Sequence, residues 1–105
     1  MDPDEMLKYL SKVLMSHKGE GSEITSQQIA SLLGIYDNNG TPITRALIKR
    51  CAYEYHIPLA ANGRGYYVIT NKDELRKYCR NLDFRANEIR KRKEMIEEFY
   101  NEKGI

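Results

Sequence analysis

The sequence predicts an α+β fold: three short helices, a β-hairpin and a long C-terminal helix. Three observations carry this. Apolar residues recur at helical spacing over residues 3–17, 26–33 and 42–55. Two short extended runs, residues 57–60 and 66–69, flank the tip at 61–65, where Asn-Gly-Arg-Gly supplies a strong hairpin signal. Residues 72–103 contain neither proline nor glycine, which permits one continuous helix of about 30 residues unless the Asn81–Asp83 stretch breaks it.

Each element has its own signals. In the first helix Asp2 suits the N-cap, Pro3 the first helical position and Glu5 the first turn. Met6, Leu7, Leu10, Val13 and Leu14 form its apolar stripe. Residues 18–22 read as a loop, and residues 23–25 as a very short strand. Thr25 and Gln28 make a capping-box pair for the second helix, with Ile29, Leu32 and Leu33 inward. Gly34 suits the left-handed residue that ends it. Residues 37–40, Asp-Asn-Asn-Gly, are a turn by composition. Thr41 caps the third helix and Pro42 starts it; Ile43, Leu47, Ile48 and Cys51 are expected inside. Pro58 confines the first hairpin strand to a sheet edge. Tyr66 and Tyr67 alternate, so one faces the core. Asp73 and Glu74 favour a helix start after Asn71.

The chain has 105 residues, a size that suits one small globular domain with an appended helix. We divide it into residues 1–71 and a C-terminal helix, 72–105. No apolar run is long enough to cross a membrane. The first ten residues lack the basic and apolar regions of a secretory leader, so a cytoplasmic location is expected. Two cysteines, Cys51 and Cys79, have no metal or redox spacing. No Cys/His/acid cluster has ligand spacing, no nucleophile has an evident base and no glycine loop suits a phosphate cofactor. The expectation is a non-enzymatic protein without metal or cofactor.

Net charge is +2, unevenly spread. Residues 1–40 carry three basic and six acidic residues, residues 41–80 eight and three, residues 81–105 six of each. The positive charge gathers where the third helix and hairpin lie, a distribution suited to a polyanion.

Helix, short strand, helix, turn, helix and hairpin follow in the order of a winged helix-turn-helix. The segments ITSQQIASLLGI, TPITRALIKRC and IPLAANGRGYYVI resemble winged-helix DNA-binding proteins, most of all small prophage-type proteins and biotin-repressor-like N-terminal domains. The resemblance covers residues 5–80. It implies a double-stranded DNA-binding protein, a small transcriptional regulator or replication-associated factor. Residues 42–55 would enter the major groove, with 57–70 as the wing. It implies Thr41, Thr44, Arg45 and Lys49 as the outward face of the recognition helix, Asn62 and Arg64 as wing contacts, and Ser26 and Gln27 as phosphate donors. Two other readings stay open: a winged-helix protein-interaction module, such as a phage-type inhibitor or adaptor binding a host protein, and a structural coiled-coil adaptor.

In the last helix Leu75, Leu82, Ile89 and Ile96 fall seven apart, with Cys79, Ala86, Lys93 and Tyr100 between them. This is an a/d pattern over about four heptads. It predicts a homodimer through this helix, with Lys93 as a polar seam position. The basic run at 90–93 is followed by glutamates, and pairing of Arg90 with Glu94 and Lys93 with Glu97 accounts for it.

Overall fold

The computed structural model describes residues 2–36 and 42–104. The expected turn at 37–40 and the Thr41 cap lie outside them. The fold is α+β, with four helices and one two-stranded antiparallel hairpin among the described residues.

Helix α1 runs Pro3–Met15. The Asp2 carboxylate accepts the Glu5 N–H at 2.9 Å, the expected cap. Leu7, Leu10 and Leu14 are buried, with Met6 and Val13 packed beside them. The helix stops two residues short of 17, where the Ser16 and His17 N–H groups reach back only three residues, to the Val13 and Leu14 carbonyls at 3.2 and 3.0 Å.

Helix α2, Ser26–Leu33, begins with the predicted capping box. Gln28 N–H donates to Thr25 Oγ1 at 3.1 Å, and Thr25 N–H donates to Gln28 Oε1 at 2.9 Å. Gly34 closes it with φ 71°. Its inward side differs from expectation: Ala30 is buried and Leu32 is half exposed.

Helix α3 is Pro42–Glu54. Its buried stripe is Thr44, Ile48 and Cys51, spaced i, i+4, i+7. That phase turns Ile43 outward, 61% exposed, and takes Thr44 fully inside. Both reverse the expectation. Two residues past its end His56, a non-glycine residue, takes φ 53°, and the Ile57 N–H reaches the Ala52 carbonyl at 2.9 Å.

Strands β1 (Leu59–Asn62) and β2 (Gly65–Val68) pair antiparallel, with Leu59 opposite Val68 and Asn62 opposite Gly65. Both strands sit closer to the tip than expected, and the connecting residues are Gly63 and Arg64. Pro58, which has no N–H to donate, precedes the first paired residue and joins the hairpin only through its carbonyl, which accepts the Ile69 N–H at 2.9 Å. The other edge of β2 takes two isolated bridges, Ile24 antiparallel to Tyr66 and Lys18 parallel to Val68. Residue 24 is thus the expected strand-like segment, and the 18–22 loop joins the sheet through Lys18. Tyr67 is the buried tyrosine; Tyr66 is half buried. The core under this layer joins Leu7, Leu10, Leu14, Ile29, Ile48 and Val68.

Helix α4 runs unbroken from Lys72 to Lys103. Asn71 Oδ1 accepts the Glu74 N–H at 2.9 Å and so caps it. The chain divides into two compact units, Met1–Glu74 and Leu75–Ile105. No helix among the described residues is long and apolar enough to cross a membrane.

Candidate nucleic-acid interface

A groove of about 410 Å³ with mixed polar and apolar walls opens on the first unit. Three segments wall it. The start of α2 brings Thr25 and Ser26, α3 brings Arg45, and the hairpin brings residues 61–66, including Asn62, Arg64 and Tyr66. The placement follows from the bridge between Ile24 and Tyr66. Ile24 N–H donates to the Tyr66 carbonyl at 2.9 Å, and Tyr66 N–H returns to the Ile24 carbonyl at 2.8 Å. These two bonds lock the hairpin beside the residue pair that opens α2.

Gly65 lets the two segments approach. Its φ is +134°, and a Cβ there would run into the Ile24 carbonyl oxygen. Only glycine meets both demands.

Glu23 organises the hairpin tip. Its carboxylate accepts from Asn62 Nδ2 at 2.8 Å and from the Gly21 N–H at 3.0 Å. Asn62 in turn accepts the Arg64 N–H on Oδ1 at 2.8 Å, fixing the turn from within. The Arg64 guanidinium lies 3.5 Å from the same Glu23 oxygen. The Glu23 side chain is 5% exposed and that of Arg64 is 67% exposed, so the acid sits under the base. The Asn62 hydrogen bond first, then the Gly21 N–H and Glu23's own N–H, with a smaller share from the Arg64 charge, hold the Glu23 carboxyl at about 2, down from 4.5. It is ionised at any physiological pH.

Of the sequence-predicted contacts, Ser26, Arg45, Asn62 and Arg64 come together on this groove. Lys49 stands exposed one helical turn beyond Arg45, outside the groove lining. Among the described residues neither Arg45 nor Lys49 has an ion-pair partner, whereas Arg50 is held by Glu54 at 2.9 Å. Gln27 is exposed but does not line the groove. Thr44 is corrected: it is fully buried on the inner stripe of α3 and cannot reach a ligand. Thr41 lies outside the described residues. Sequence reasoning misses Glu23, because its partners stand 39 and 41 residues downstream. Its place beside the strand-like residue Ile24 is the available signal.

This surface can do three things chemically. Arg45, Lys49 and Arg64 offer charged donors, Ser26 and Asn62 offer neutral polar groups, and α2 points its N-terminus at the same space. No known family, curated protein or solved structure matches the chain.

Proposed function

We propose that the chain is a double-stranded DNA-binding protein of winged helix-turn-helix type, a small transcriptional regulator or replication-associated factor of phage or prophage kind. In this reading α3 reads the major groove, with Arg45 toward a guanine edge or phosphate and Lys49 toward a phosphate. The hairpin is the wing, and Arg64 works from its tip. One observation carries the reading. Arg45, Arg64 and the start of α2 converge on one open groove, with the exposed Lys49 one turn along α3.

The test is fluorescence anisotropy on random-sequence duplex DNA at two salt concentrations. Three phosphate contacts give a log–log salt slope of about −2.7, so a four-fold rise in salt weakens binding roughly 40-fold. The chain with R45A, K49A and R64A stays folded and loses this binding. Absence of wild-type binding at low salt overturns the proposal.

A second reading has its own support. Ile43 and Tyr53 are exposed on α3, and Tyr36 is exposed beyond α2. Apolar and aromatic groups of this kind suit a protein partner, whose binding would respond weakly to salt.

A further inference from the structure

Helix α4 contains 32 residues and buries none of them. Its seven-residue repeat of Leu75, Leu82, Ile89 and Ile96 is exposed throughout, Ile89 by 70%. Such a stripe needs a cover, and the charges beside it select which one. We propose that α4 pairs with α4 of a second copy of this chain in an antiparallel coiled coil, centred between Asn87 and Glu88. The proposal is independent of DNA binding.

The antiparallel register follows from pairing every seam layer. Ala86 faces the second copy's Ile89, and Cys79 faces its Ile96, so a small side chain meets a large one each time. Tyr100 covers Leu75 of the second copy. Lys93 meets the second copy's Leu82. The Lys93 ammonium is drawn sideways to Glu97, 3.7 Å away, which leaves its methylene stem on the seam. A parallel, in-register pair would instead stack Lys93 on Lys93 inside the interface.

Flanking charges point the same way. In the antiparallel register Arg76 meets the second copy's Glu97, and Asp83 meets its Arg90. Two-fold symmetry doubles both, giving four attractive pairs. The one like-charge contact, Arg85 with Arg92, also occurs twice. A parallel pair keeps two repulsive contacts, Arg85 with Arg90, and only two attractive ones, Arg92 with Glu97. Antiparallel pairing thus gains two ion pairs and avoids a buried lysine–lysine layer.

The experiment is analytical ultracentrifugation of the full chain, with R76E, E97R and the R76E/E97R swap. Wild type dimerises. Each single reversal turns two attractive pairs into repulsive ones and weakens the dimer about ten-fold, and the double swap returns it to the wild-type value. Parallel pairing predicts no rescue, because Arg76 then has no partner and E97R still faces Arg92. A wild-type monomer at every concentration, or a double swap no tighter than E97R, overturns the proposal. Mild oxidation gives a second reading. In the antiparallel register the two Cys79 residues lie roughly 26 Å apart along the axis at 1.5 Å of rise per residue. That is far beyond disulfide reach. Rapid, complete disulfide cross-linking through Cys79 overturns the antiparallel register; a chain that stays uncross-linked supports it.

Discussion

Replacing Gly65 with alanine should unfasten the hairpin from the rest of its unit. Two costs add. The backbone at φ +134° is a conformation that side chains rarely adopt, worth about 1–3 kcal/mol. The new Cβ would also meet the Ile24 carbonyl, with its carbon at 2.7 Å and the Thr25 nitrogen at 3.1 Å. All three are backbone atoms, so relief requires the strands to part. Parting them breaks the Ile24–Tyr66 pair of hydrogen bonds, 2.9 and 2.8 Å, at about 0.5–1.5 kcal/mol each. Together these come to roughly 2–6 kcal/mol, a large share of the about 5–15 kcal/mol that holds a typical domain. Urea denaturation followed by near-ultraviolet circular dichroism of the tyrosines measures the loss. Hydrogen exchange at the Ile24 and Tyr66 amides shows whether it is local. G63A is the control. No atom stands within 4 Å of a Cβ there, and its change should stay within about 0.5 kcal/mol. A G65A midpoint equal to wild type, at equal m-value and with both amides still protected, would refute the reasoning.

Two further outcomes follow from titratable groups. The folded Glu23 carboxyl sits at about 2 against 4.5 ordinarily, so its contribution is complete above pH 4.5 and is lost as pH falls from there toward 2. E23Q keeps the shape without the charge; its acid unfolding curve should lack that component, and an E23Q curve that tracks wild type through this window argues against the clamp. Cys51 is fully buried, and desolvation first, with Glu54 second, pushes its thiol up to about 11. A thiol reagent should modify exposed Cys79 in the folded chain, more slowly as rising concentration fills the α4 seam, and Cys51 only on unfolding. Equal rates at the two cysteines would contradict this burial.

Much of the fold is legible in the sequence because local chemistry decides it. Asp2, Thr25 with Gln28, and Gly34 mark helix ends through groups that act within four residues. The hairpin is legible for the same reason, although its strands lie nearer the tip because Asn62 pairs with Gly65. The faces of short helices are less so. In α3 the phase is set by Ile48 and Cys51, and it carries Thr44 inward although Ile43 is the more apolar neighbour. In α2 it favours Ala30 over Leu32. Hydrophobicity ranks residues singly; packing ranks whole stripes. The candidate site is half legible. Arg45 and Arg64 announce themselves by charge and position, but Glu23 acquires its role only when residues 24 and 66 pair.

The two unpartnered surfaces ask for different occupants. A duplex neutralises Arg45 and Lys49 but offers little to Leu82 or Ile89, whose burial is worth about 1.5–3 kcal/mol per side chain only against apolar atoms. A second copy would cover the α4 seam but bring the same charges, so it would give nothing to α3. A single protein partner would have to be acidic against Arg45 and Lys49 and apolar against α4, and damage to either surface would then abolish its binding. With two separate partners the losses are independent. The R45A/K49A/R64A chain should then still dimerise, and the R76E chain should still bind duplex. The pattern of losses across the two variant sets therefore separates a dimeric DNA-binding protein from an adaptor.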